Sequence, residues 1–168
     1  MLATDVLAEH HEVIRGLLRD LGSTTGTQDG QRRALVARIA EELGMHEQIE
    51  DEIFYPAMRE VSQRVPLGHA EHRQIDDQLA VMLRIAPTHP AFATELRVLT
   101  AHVEHHACVE EEGRMFPEIE QRVDAEELHR IGSELAVRLE HLRHSRRTRM
   151  RLRAKRTTLR LAGRLSRR

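Results

Sequence analysis

The chain has 168 residues, 32% of them charged and 40% hydrophobic, with a formal net charge of −1. That length allows one domain with a real core plus a tail, and the composition fits neither a fully disordered chain nor a membrane span, for which roughly 20 consecutive apolar residues are needed. The small net charge hides a division: residues 143–168 carry 12 of the 26 basic residues and none of the 27 acidic ones, which leaves −13 on residues 1–142.

Glycine and proline punctuate the chain into helical blocks, and no alternating strand pattern occurs. The first helix runs from about Thr4 to Leu21 and stops at Gly22, before the loop "GSTTGTQDG". The second runs from about Gln31 to Tyr55, before Pro56, and the third from about Leu67 to Ala86, ended by "PTHP". The fourth runs from about Ala91 to Phe116, before Pro117, and the fifth from about Ala125 into the basic tail. Short connections predict an all-α, up-down-up-down antiparallel four-helix bundle over residues 1–122, an additional C-terminal helix over 123–145, and a basic tail over 146–168. The N-terminus carries Asp5 and Glu9 and lacks the apolar core of a signal peptide, and the lone Cys108 has no internal disulfide partner, so a cytoplasmic protein is expected.

Two stretches repeat one pattern about sixty residues apart: "HEQIEDEIFYP" from His46 and "HACVEEEGRMFP" from His106. Each has a histidine, an acidic residue four places on, a glutamate cluster, an aromatic and a proline. Spacing of three and four gives each helix a buried seam. On the first helix the seam is Leu7, His11, Ile14, Leu18 and Leu21; on the second, Leu35, Ile39, Leu43, His46, Glu50 and Ile53. On the third it is His72, Ile75, Leu79 and Met82; on the fourth, Phe92, Leu96, Leu99, Val103, His106 and Glu110. Histidines and glutamates thus replace apolar residues in the stripes that face the core.

A buried carboxylate without a partner costs several kcal/mol or takes up a proton. A bound cation relieves both the desolvation and the mutual repulsion, and the cores of helical bundles can hold carboxylate-and-histidine metal sites. Imidazole and carboxylate without thiolate suit iron or manganese, with zinc an alternative, and two glutamates with four or more histidines suffice for two metals. Taken singly, His46 or His106 reads as a hydrogen-bonded core histidine, and His46 with Glu50 as a helix-stabilising pair worth roughly 0.2–0.5 kcal/mol. Neither reading accounts for the recurrence on a second core seam with His11 and His72 in register.

Around these residues the alternatives stay open. His10 competes with His11 for the first-helix seam, and His69 lies three residues before His72. Glu47, Asp51, Glu52, Glu111 and Glu112 read as a solvated acidic face, and Cys108 as a small buried or half-buried filler. Tyr55 is the only tyrosine. Its oxygen suits ferric iron, but on an ideal helix it points away from Glu50 and reaches the site only if the helix end is distorted near Pro56.

"LAEHHEVIRGLL", "HEQIEDEIFYP", "HAEHRQIDDQL" and "HHACVEEEGRMFP", spread over about residues 4–120, resemble the hemerythrin-like, HHE cation-binding family. The resemblance implies a four-helix bundle around two non-haem, oxo-bridged iron ions with bridging carboxylates. Carried over by residue, it implies His11 rather than His10, His46, Glu50, His72, and His106 with either Glu110 or Glu111. The family's oxygen carriers have a further histidine four residues before the third-helix ligand; here that place is Gly68, and His69 or Tyr55 is left to stand in. His46 to Pro56 spans ten residues whereas His106 to Pro117 spans eleven. Aligned from the histidine the second motif selects Glu110, aligned from the proline Glu111; the helical seam favours Glu110. The expected ligand set is His11, His46, Glu50, Tyr55, His72, His106 and Glu110.

An oxygen donor in place of a histidine favours ferric iron over reversible oxygen carriage. The chain resembles the short actinobacterial members of the family, which implies catalase-like decomposition of hydrogen peroxide or of related oxygen and nitrogen species, with hydrogen peroxide, oxygen or nitric oxide as the small-molecule partner. A sensor or carrier module without turnover, and an iron donor for iron–sulfur repair, are the alternatives. The protein is expected to be a monomer or weak dimer. The basic tail reads as a solvated or self-docking extension, with contact to nucleic acid or an anionic membrane as the other reading.

Overall fold

A computed structural model describes residues 1–145; the basic tail, 146–168, and the contacts expected of it lie outside the described residues. The described chain is helical throughout: α1 (Ala3–Gly22), α2 (Asp29–Ile49), a π-helical segment π1 (Glu50–Phe54), α3 (Tyr55–Met58), α4 (Val65–Arg84), α5 (Phe92–Glu104), a second π-helical segment π2 (His105–Met115), α6 (Phe116–Arg122) and α7 (Ala125–His144). Runs α2–π1–α3 and α5–π2–α6 are continuous rods. With α1 and α4 they form an antiparallel four-helix bundle, in which α1 packs on α2 and α5, and α4 on the same two partners. The fifth helix, α7, lies against α1 and α2.

Local chemistry fixes the ends. The Leu2 N–H donates to Asp5 Oδ2 at 2.7 Å, which satisfies one of the open N–H groups at the start of α1. At the other end the Ser23 N–H bonds the Arg19 carbonyl and the Thr24 hydroxyl bonds that of Leu21. Arg32 then ties two loops together: its guanidinium donates to Thr24 Oγ1 and the Thr24 carbonyl, and from a third nitrogen to the Pro87 carbonyl. It also sits 4.6 Å over the Phe92 ring, a cation–π contact.

Both long rods run past the prolines at which the sequence stops them. A proline removes a donor and crowds the carbonyl four residues back. Here the preceding π segment has already moved the bonding one residue further: the Tyr55 N–H donates to the Glu50 carbonyl and the Phe116 N–H to that of Glu111. The widened turn accommodates Pro56 and Pro117, and the helix resumes as α3 and α6.

The apolar core falls into two clusters. One holds Ile14, Leu18, Leu21, Ile39, Leu43, Ile75, Leu79, Met82, Phe92, Leu96 and Leu99. The other holds Leu7, Ile49, Phe54, Met58, Met115, Phe116 and Ile119, closed from outside by Leu128, Ile131, Leu135, Leu139 and Leu142 of α7. Those five recur every three or four residues, an apolar stripe facing the bundle. Between the two clusters lies a polar layer.

Helix α7 meets the start of the chain at Gly132. A Cβ placed there would stand 2.6 Å from the Met1 carbonyl oxygen and 2.8–2.9 Å from backbone atoms of Leu2 and Ala3. Gly132→Ala is therefore expected to push α7 off the chain's first turn and destabilise the fold by about 1–3 kcal/mol, read as a lowered midpoint in urea unfolding.

Candidate metal centre

Six ionisable side chains make the polar layer: His11 from α1, His46 from α2, Glu50 from π1, His72 from α4, and His106 and Glu111 from π2. None is more than 6% exposed, and Glu50 and Glu111 are fully enclosed. Donor atoms of His11, His46, Glu50, His106 and Glu111 all lie within 4.8 Å of one another. His72 adjoins this group, with Nε2 3.0 Å from Glu50 Oε2 and 3.3 Å from His106 Nε2.

Ring nitrogens point at one another. His11 Nε2 is 3.0 Å from His46 Nε2, and two such nitrogens attract only if one of them carries a proton. Carboxylates behind the rings bear on where the protons sit: Glu112 Oε1 lies 2.8 Å from His11 Nδ1, and Glu71 Oε2 lies 3.1 Å from His106 Nδ1. A proton on each Nδ1 donates outward and leaves the Nε2 lone pair facing inward. This carboxylate–histidine arrangement orients imidazole ligands in metal sites.

The layer is not satisfied by its own hydrogen bonds. Among the described residues, neither oxygen of Glu50 nor Nδ1 of His46 makes one; the His72 and His46 nitrogens near Glu50 Oε2 stand off the required geometry. Burial, then the charge of Glu111, raises the Glu50 carboxyl well above its ordinary value of 4.5. Glu111 moves the other way: burial would raise it, but the histidines around it, His106 and His11 first, hold it below the usual range. Burial and the neighbouring imidazoles lower His46 well below its ordinary 6.5. A cation in the layer would supply the missing partner for the Glu50 oxygens and take the inward Nε2 of His46, so the residues fit a metal.

The π segments decide which side chains arrive. In α2 the helix is still regular up to Ile49, so Glu50 shares the His46 face four residues on. In π2 the wider turn starts at His105, and the residue on the His106 face is five on, Glu111. The extra residue of the second motif is this wider turn. Glu110, the acid that a regular helical seam selects, is turned to the other side, where Arg64 and Arg114 hold its carboxylate. Glu111 is accordingly no part of a solvated face, and Glu47 is buried as well.

Likewise π1 swings Tyr55 inward. Its hydroxyl donates to Glu111 Oε1 at 2.9 Å and stands 3.4 Å from His72 Nε2. Burial, then the charges of Glu50 and Glu111, pushes the phenol far above its ordinary value. Room for it comes from Gly68, where a Cβ would lie 2.5 Å from the Tyr55 oxygen. His69, the next residue, stays outside, with Nδ1 3.1 Å from Asp51 Oδ1. His10 is buried but faces Glu42, 3.0 Å from its Nε2. Cys108 is exposed rather than a filler, with its sulfur against Arg15.

Residues 2–119 match the model of the hemerythrin HHE cation binding domain. The chain belongs to this family. It is 37% identical over 145 residues to uncharacterized proteins of Mycobacterium tuberculosis and Mycobacterium bovis, an overlap covering 86% of this chain and 89% of each of those. The crystal structure of a hemerythrin HHE cation binding domain-containing protein from Mycobacterium kansasii superposes with a TM-score of 0.78 and 34% identity, covering 92% of this chain and 99% of that one.

Two expectations follow. Glu111→Gln removes a buried charge from the layer whereas Glu110→Gln weakens only its pairs with Arg64, Arg114 and His105 outside it, so metal content on purification should fall about tenfold or more in the first and hold in the second. In the metal-free protein the raised Glu50 carboxyl favours the fold only while protonated; its contribution is full below 4.5 and is lost as pH rises toward the raised folded value. Urea unfolding in chelator from pH 5 to 8 should therefore show wild type losing stability relative to Glu50→Gln as the pH rises.

Proposed function

We propose that the polar layer holds two irons and that the protein decomposes hydrogen peroxide or related reactive oxygen and nitrogen species. One observation carries the reading: a fully buried set of histidine and carboxylate donors, without thiolate, whose two glutamates cannot comfortably both be charged unless a cation lies between them. His11, His46, Glu50, His72, His106, Glu111 and the Tyr55 oxygen give seven donor side chains, more than a single ion takes from protein alone in a site that must also admit a small molecule. Two bound irons would relay two electrons from one molecule of hydrogen peroxide, which leaves as oxygen, to a second, which with the two protons released becomes two of water.

The chain's own residues would do the rest. Glu112 and Glu71 keep the His11 and His106 lone pairs aimed inward. The two apolar clusters exclude water above and below the layer, which strengthens every electrostatic contact within it. Tyr55 holds its proton against Glu111 Oε1, or presents its oxygen as a donor once that proton leaves. An oxygen donor stabilises the ferric state, which disfavours reversible oxygen carriage and suits reaction with peroxide. With Gly68 where the carriers of the family have a histidine, Tyr55 fills the space such a side chain would use.

The test is iron per chain on protein from iron-fed cells, with the absorption spectrum and oxygen evolution followed on adding peroxide. About two irons, near-ultraviolet charge-transfer bands and evolved oxygen are expected. Folded protein that binds no iron, or holds it without reacting with peroxide, overturns the reading; iron surrendered rapidly to a chelator would point to iron donation instead. Tyr55→Phe should keep the iron but slow oxygen evolution by about tenfold or more, the scale of effect for a group beside a metal.

A further inference from the structure

The buried layer has an outward counterpart. Asp51 follows Glu50 in π1 and faces solvent, with half of its side chain exposed, while His69 and His72 lie three apart on one face of α4. Asp51 Oδ1 is 3.1 Å from His69 Nδ1 and 3.9 Å from His72 Nδ1, and one donor atom from each residue lies within 4.8 Å of the others. Donors around a divalent cation at about 2.0–2.2 Å stand roughly 3–4 Å apart, so the trio needs only a small adjustment, and the partly exposed Asp51 and His69 side chains can make it. Two imidazoles and one carboxylate, open to water on the remaining sides, suit a divalent first-row metal such as ferrous iron, cobalt or zinc.

His72 joins the two sites. Its Nδ1 belongs to the outer trio, and its Nε2 is 3.0 Å from Glu50 in the buried layer. We propose that Asp51, His69 and His72 form an outer divalent-cation site that captures metal at the surface and passes it to the buried centre past the His72 ring. The passage follows from the ring's chemistry. A neutral imidazole offers one lone pair: with Nδ1 outward His72 completes the outer trio, and with Nε2 inward it serves the centre while its Nδ1 proton turns to Asp51. The outer site is therefore strongest in the metal-free protein and drops to two protein donors when the centre fills. The other ligands of the centre are at most 3% exposed, so His72 is the side chain through which surface and centre meet. The loading role rests on the buried layer being a metal centre; the outer site does not.

The experiment uses the full chain stripped with chelator, with cobalt(II) as probe and its visible bands as readout. His69→Ala should reach the wild-type cobalt content and final spectrum, but about tenfold or more slowly. Equal loading rates would overturn the passage. His46→Ala breaks the buried layer and spares the trio; checked for helix content by circular dichroism, it should bind one readily chelated cobalt, and His46→Ala with His69→Ala none. Identical binding by these two variants would overturn the outer site. Wild type that holds no chelator-resistant cobalt, while His46→Ala binds one ion in a His69-dependent way, would leave the outer site standing and remove the di-iron reading.

Discussion

Two carboxylates and four imidazoles sealed between apolar half-cores are the constraint on which the rest of this structure depends. Leaving them without partners would cost several kcal/mol apiece, comparable with the whole stability of a typical domain. The sequence tolerates that burden at four separate helices, and the fold spends well-packed leucine, isoleucine and phenylalanine on either side to hold the layer in place. Carboxylates Glu71 and Glu112 extend the arrangement outward, so that two of the rings are oriented from behind before any cation arrives. A layer so built is poor as a core and good as a cage.

Phase along the helices explains how the cage is assembled. A regular helix brings the residue four on to the same face, and the first motif uses that rule for His46 and Glu50. One wider turn then shifts the register, which turns Tyr55 toward the layer and lets the rod continue through Pro56. The second motif widens earlier and longer, bringing in Glu111 and sending Glu110 to Arg64 and Arg114. Such widened turns are less stable than regular helix and tend to mark functional sites. Here each one aims a side chain that no regular helix could aim.

Helix number, order and the seams from Leu7 to Leu21 and from His72 to Met82 were legible in the sequence, because burial of a continuous apolar stripe demands the period of three and four. Where the wider turns begin was not legible from that period, since a π turn depends on the balance of packing and hydrogen bonding along the rod rather than on any residue type. The unequal lengths from histidine to proline were the visible trace of it. Read from the proline, that difference selects Glu111; read from the histidine under a regular helix, it selects Glu110. Surface character was misjudged for Cys108 for a related reason, since it lies within π2, where a face assigned from ideal geometry has turned; Glu47 lies on regular α2 and is buried in a bundle where α7 packs on that helix as a fifth.

The duplicated motif also ends in two different rings, and that difference bears on chemistry. Tyr55 and Phe116 each sit five residues beyond a glutamate of the layer, immediately before a proline. Tyr55 brings a hydroxyl to Glu111 and His72 through the gap that Gly68 leaves. Phe116 brings no polar atom; its ring stacks parallel to His11 at 6.1 Å. One end of the layer therefore carries an oxygen and borders the Asp51–His69 surface, and the other is closed by a hydrocarbon face. Two metals held there would not be equivalent: the one nearer Tyr55 would meet an oxygen donor and the solvent-facing side, the other only imidazole, carboxylate and an aromatic wall.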